Sequence, residues 1–276
     1  MQKSKHTYNS SKIALAIAAL VCAQPVIQSQ TPPPKRPQLV VGIVVDGLKA
    51  EYLDLLNGYF SDGGFKRLIK DGVTIENVNY GTPVDHTAAT AMLYTGAAPA
   101  VNGIPASEIY DQERKVAYSI FMDPSKIGNF TDETYSPTAM LVSTLSDEIR
   151  MDNSGLGAVH AIAPDAQTAM IMGGHAGNSA FWLSEVNGKW ATTTFYKDVP
   201  TTISTRNFTA PLSARLDTMV WTPSLPIESY PDLPDFKKYY PFRYHFSAGN
   251  RDRFNWFKKS GPGNTEITNV AIDYIT

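Results

Sequence analysis

Apolar positions run without interruption through residues 40–45, Val-Val-Gly-Ile-Val-Val, and stop on Asp46. A run with no polar alternation predicts a strand buried on both faces, as in a parallel sheet. Leu48, Tyr52, Leu55 and Leu56 then recur at helical spacing, as do Phe65, Leu68 and Ile69, with Gly72 as a stop. Residues 73–80 predict a short second strand, and residues 86–96 a helix opened by polar residues and closed by Gly96. Another helix is predicted from Ser136 as N-cap, with Pro137 at its first position and Met140, Leu141, Leu145 and Ile149 on its apolar side. Residues 157–164 and 168–172 predict strands, and residues 179–196 a hairpin of two aromatic strands around Asn187-Gly188. Alternating strands and helices give an α/β sandwich. From Lys197 onward, proline and aromatic residues without a clean period predict a long irregular excursion packed on the main body by its Trp and Tyr side chains; a helix begins near Thr265.

Charge and composition narrow the class. Lys and Arg number 24 against 26 Asp and Glu, a net charge of −2, which gives no electrostatic case for nucleic acid as the main partner. The first 23 residues read as a signal peptide: Lys3, Lys5 and Lys12 precede an apolar run at 13–21 too short to span a bilayer, and Ala23 supplies the small residue before cleavage. A lipid anchor on Cys22 is the alternative, disfavoured by the bulk of Val21. The expectation is a periplasmic or secreted chain with no integral membrane segment after cleavage. Residues 24–37 carry consecutive prolines and read as an extended linker, leaving residues 38–276 as the folded domain.

Candidate chemistry follows from position. Asp46 stands at the carboxyl end of the predicted first strand, where parallel sheets bind ligands; it suits a metal ligand or proton acceptor, and equally a helix N-cap. Asp85, His86 and Thr87 stand at a predicted helix start, where backbone N–H groups and the helix dipole favour an anion. A hydroxyl there attacks phosphorus if a metal lowers its pKa; Asp85 or Thr87 as a plain N-cap is the simpler alternative. His175, in Gly-Gly-His-Ala-Gly, reads as a ligand loop or as structural. The aromatic set Phe181, Trp182, Trp190, Phe195 and Tyr196 reads as hairpin packing.

In order, VVGIVVDGLKAEYL, GGFKRLIKDG, AMLYTGAAPAVNGI, GHAGNSAFW with GKWATTTFY, and GPGNTEITNVAIDYI resemble the alkaline phosphatase superfamily, in its branch of Bacteroidetes periplasmic alkaline phosphatases and type I phosphodiesterase/nucleotide pyrophosphatases. The resemblance implies a three-layer sandwich with a mainly parallel sheet, two zinc ions, a covalent phospho-enzyme and a small-molecule phosphate ester as substrate. It assigns Asp46 to the metal. Counting back from Tyr94-Thr95-Gly96, the nucleophile position falls on His86, with the hydroxyl of Thr87 one residue away; both are catalytic candidates. Ser107 stands where the phosphatase branch has a substrate-binding Asn, and Asp165 and Gln167 stand where it has a Lys and an Arg. An acid there repels a dianion, so of the two activities the family implies, phosphatase or phosphodiesterase, a diester or another ester with less charge is easier to accept. The family's remaining zinc ligands lie in Asp and His motifs absent up to Thr276, so one ligand is visible. The expectation is a truncated domain, inactive by itself, whose partner is the missing C-terminal half. A catalytically silent periplasmic binding or scaffold member of the same fold is the alternative.

Overall fold

The computed structural model describes residues 37–275 apart from Asn77, Asn153 and Asp232. The signal peptide, Cys22 and nearly all of the linker lie outside the described residues. The chain divides into two units, Met1–Tyr59 and Phe60–Thr276. In the first, residues 40–45 form no strand, and Val40, Val41 and Val45 are half exposed. The expected buried strand is therefore not formed. An apolar run becomes one only when neighbours take its N–H and C=O groups, and no other strand is described in this unit. Helix α1 (Ala50–Leu55) follows, as its spacing predicts.

The second unit opens with α2 (Phe65–Asp71). Residues 73–80, expected as a strand, form none where they are described, with Val73 91% and Ile75 78% exposed. Then come α3 (His86–Thr95), ended by Gly96 at φ 64°, and α4 (Pro99–Asn102). Strands β1 (Glu108–Asp111) and β2 (Val116–Ser119) form a hairpin that the sequence reading missed, and β3 (Gly128–Asn129) follows. The helix expected from Ser136 is broken. Ser136 caps only a 3-10 turn, Pro137–Ala139, and α5 (Leu145–Asp152) starts separately. A reciprocal cap fixes that start: Asp147 accepts from the Thr144 N–H at 2.9 Å, and the Thr144 hydroxyl accepts from the Asp147 N–H at 3.3 Å.

Strand β4 (His160–Ala163) and the hairpin β5 (Ser179–Leu183) and β6 (Trp190–Thr193) form as expected. Residues 168–172, expected as a strand, belong instead to α6 (Ala166–Gly173), whose N-cap Asp165 accepts from the Thr168 N–H at 2.9 Å. This helix is apolar on several sides because it packs on the sheet and on other helices, and so imitates a buried strand in sequence. The excursion holds α7 (Thr201–Thr209), α8 (Leu212–Leu216), β7 (Val220–Trp221), α9 (Asp235–Tyr239), β8 (Tyr244–His245) and α10 (Arg253–Lys258), before α11 (Gly261–Ile275).

The sheet order is β3-β6-β5-β4. β4 and β5 pair parallel, while β5–β6 and β3–β6 are antiparallel, so the α/β sandwich carries a mixed sheet. Alternation along the strands sends Ala161, Ala163, Ala180, Trp182 and Ala191 into one core with Ala166, Ala169 and Met170 of α6. Phe181, Leu183 and Trp190 enter a second core with Leu216 of α8, Phe257 of α10 and Val270 of α11. Helices thus cover both faces, giving three layers. The α6 face is built of small residues: a β-carbon on Gly173 would lie 2.9 Å from the Ala180 methyl.

A buried ion cluster joins the second layer. Glu266 of α11, 4% exposed, accepts two bonds from Arg215 at 2.8 and 2.9 Å and two from Arg206 at 3.1 and 3.2 Å. Burial alone would raise its carboxyl, but the two guanidiniums outweigh burial and hold it below the usual range. Glu266→Ala, which leaves Arg215 without its carboxylate and Arg206 with only the exposed Asp273 at 3.4 Å, is expected to cost about 3–5 kcal/mol in urea denaturation. The native Glu266 contribution is present above the unfolded glutamate value and lost as pH falls through the lowered folded value, so a stability–pH profile should lose that acid limb in the variant.

Candidate functional site

The start of α3 organises a polar cluster. Asp85 is its N-cap: one carboxylate oxygen accepts from the Ala88 N–H at 2.8 Å. The other accepts from the Ser107 N–H at 2.6 Å, 22 residues away, and pins the segment leading into β1 against the helix start. Asn102, fully buried, shapes that segment by donating to the Ala97 carbonyl at 2.9 Å and accepting from the Ile104 N–H at 2.8 Å. Burial pushes the Asp85 carboxyl up, but the two N–H groups prevail and its pKa falls below the ordinary value.

His86 and Thr87 diverge. His86, the first helical residue, is exposed, whereas Thr87 is 1% exposed. The Thr87 hydroxyl donates to the Gln167 side-chain oxygen at 2.7 Å and lies 3.4 Å from the His86 Nε2. The Gln167 amide donates 3.1 Å bonds to the Ser107 carbonyl and the Ser119 hydroxyl, which fixes its orientation. Gln167 is therefore the hub: from the first turn of α6 it ties α3 to the β1–β2 hairpin.

Three of the four residues singled out from the sequence, His86, Thr87 and Ser107, thus gather at one place. Asp46 belongs to the first unit, exposed on a turn with Gly47 at φ 70°. Sequence reasoning noted Asp85 as a cap and Gln167 as a departure from the family pattern, but not the tie each makes; Ser119 was missed, since an isolated serine ending a strand carries no signal. Among the described residues no group of three His, Cys, Asp or Glu is arranged to hold a metal ion. One carboxylate is short of the three protein ligands a catalytic zinc takes, so this donor set does not fit the expected zinc pair.

The sequence matches the type I phosphodiesterase/nucleotide pyrophosphatase family over residues 40–266, and the chain belongs to that family. It is 31% identical over 245 residues to the alkaline phosphatase PhoV of Synechococcus elongatus, covering 82% of this chain and 44% of PhoV. It is 28% identical over 205 residues to the alkaline phosphatase PafA of Elizabethkingia meningoseptica, covering 71% of this chain and 37% of PafA. The crystal structure of wild-type PafA superposes with a TM-score of 0.67 at 26% identity, over 73% of this chain and 40% of that one. The chain spans less than half the length of these relatives.

Gln167→Leu should remove three bonds at once, leaving the Thr87 hydroxyl its 3.4 Å contact with His86 Nε2, the Ser107 carbonyl the Ile120 N–H and the Ser119 hydroxyl the Phe121 N–H. Equilibrium denaturation is expected to show a loss of about 1–3 kcal/mol, from net bonds worth about 0.5–1.5 kcal/mol each.

Proposed function

We propose that this chain contributes to an exported phosphoric-ester hydrolase that takes a small-molecule ester of low charge, a diester in preference to a monoester. The observation that carries the proposal is the convergence of His86, Thr87, Ser107 and Gln167 at the start of α3 in a member of this family. Thr87 serves as nucleophile and His86 as the base that takes its proton. The 3.4 Å separation suits a pair that tightens when substrate arrives. For this the Thr87 hydroxyl turns from Gln167 toward His86. Ser107 and the Gln167 amide then line the phosphoryl pocket. Asp46 is the one zinc ligand proposed in this chain, and any metal dependence rests on donors beyond those described. Export rests on the signal-like N-terminal sequence; among the described residues no helix is long and apolar enough to cross a membrane.

A second reading has its own support. Thr87 is buried and already bonded, and the Asp85 carboxylate holds the N–H groups that would otherwise meet a phosphoryl oxygen. A catalytically silent member that binds phosphate esters without cleaving them accords with both facts.

A longer form that supplies the donors beyond those described is expected, with zinc, to hydrolyse bis-p-nitrophenyl phosphate faster than p-nitrophenyl phosphate, while this chain by itself turns over neither. Thr87→Ala should abolish turnover, and His86→Ala should lower kcat by about 10²–10⁴-fold. Absence of turnover with retained ester binding by calorimetry supports the silent reading; turnover that survives Thr87→Ala removes Thr87 as nucleophile.

A further inference from the structure

The Gly-Gly-His loop that joins α6 to β5, residues 173–178, is gripped from one side by α5. Ser146 donates to the Met172 carbonyl at 2.5 Å, and Arg150 donates to the Asn178 side chain and, at 2.9 Å, to the Gly157 carbonyl. Asp147, 4% exposed, accepts from the Ala176 N–H at 2.7 Å and faces the His175 Nδ1 at 3.3 Å. A β-carbon on Gly174, at φ 64°, would lie 2.5 Å from that carboxylate, so the loop backbone lies directly on Asp147.

The His175 partners define its protonation. Nδ1 faces the Asp147 carboxylate, and Nε2 faces the Met140 carbonyl at 3.1 Å. Both partners only accept, so the imidazolium serves both at once, whereas the neutral ring can serve only one. The bond to Asp147 raises the pKa of His175 against the opposing effect of burial. Burial by itself would raise the Asp147 carboxyl, but the His175 ring and the Thr144 and Ala176 N–H groups hold it well below the carboxylate range. The other groups facing this pair do not compete. Tyr196 donates to the Gly174 carbonyl at 2.5 Å and stays neutral, because burial and the Asp147 charge push its phenol far up. Arg150 is engaged at the far end of the loop, and the segment before α5 presents the Thr144 hydroxyl, which donates to Asp147 at 3.1 Å.

We propose that residues 173–178 form a pH-sensitive latch, closed while His175 carries both ring protons and loosened when it loses one. Neutral imidazole has a single N–H, which serves either Asp147 or the Met140 carbonyl and leaves the other bare. The remaining Asp147 bonds to Thr144 and Ala176 keep the change local. By linkage, the His175 contribution is full below the unfolded histidine value and is lost as pH rises through the raised folded value. The eight-residue helix α6 joins this loop to Gln167, which places the latch one helix away from the Thr87 cluster.

Ring ¹⁵N spectra of the labelled full chain test the proposal. His175 is expected to titrate above about 6.5, the ordinary histidine value. Amide protection at 175–178, corrected for intrinsic exchange, should fall roughly tenfold across that titration, the worth of one charge-assisted hydrogen bond. In His175→Gln the same protection should not vary with pH. A His175 that titrates at or below the ordinary value overturns the proposal, as does protection that ignores its titration or a pH response that persists in His175→Gln.

Discussion

Alanines at 161, 163, 180 and 191 line the face of the sheet that meets α6, and Gly173 closes the helix against Ala180 with no space for a β-carbon. Interiors are packed to crystal density, so one added methyl group at this contact would push the helix outward. The polar ties at both ends of α6 depend on that distance. Gln167, in the first turn of α6, reaches Thr87, Ser107 and Ser119 only because the helix lies this close to β4 and β5. Asp147 and Arg150 reach the loop at the other end for the same reason. Trp182 is the bulky exception on this face; on the opposite one, Phe181, Trp190 and Leu183 meet the aromatic excursion.

Three carboxylates, two buried and Asp85 partly so, show one solution used three times. Asp85, Asp147 and Glu266 each bind segments far apart in sequence, and each would be raised by burial if left unaided. Backbone N–H groups offset that cost at Asp85, N–H groups and the His175 ring at Asp147, and two guanidiniums at Glu266. A carboxylate can accept about four hydrogen bonds, so one residue fixes several strands of chain at once. Apolar packing alone does not specify where a loop such as 173–178 lies; these ties do.

Legibility in the sequence followed the range of the interaction. The β5–β6 hairpin was readable because Asn187-Gly188 and the flanking aromatic residues act locally, and α3 because Asp85 and Gly96 mark its ends. Helix α6 imitated a strand, since packing on several sides erases the 3.6-residue period. Residues 40–45 had the composition of a buried strand, but pairing is not a property of the run itself. The start of α5 was signalled by Thr144 and Asp147 three residues apart, which was overlooked in favour of Ser136-Pro137. Within the candidate site, His86, Thr87 and Ser107 were found through motif position. The bonds that join them were not, because Gln167 lies 80 residues from Thr87 and nothing local encodes the contact.

The electrostatics at the start of α3 bear on substrate charge under the proposed function. A helix N-terminus favours an anion by about 0.3–1 kcal/mol, and here Asp85 already takes the Ala88 and Ser107 N–H groups. At an effective dielectric near 20, a phosphoryl charge about 4 Å from Asp85 meets a repulsion of order 4 kcal/mol, and a dianion meets about twice that before salt screening. The helix therefore cannot hold a monoester by itself. Asp165 supplies no relief, since its carboxylate caps α6, and Gln167 is neutral. A low substrate charge reduces the repulsion by one unit; a cation brought from elsewhere reduces it further. The first is the basis on which a diester is proposed over a monoester; the second would come from donors beyond those described.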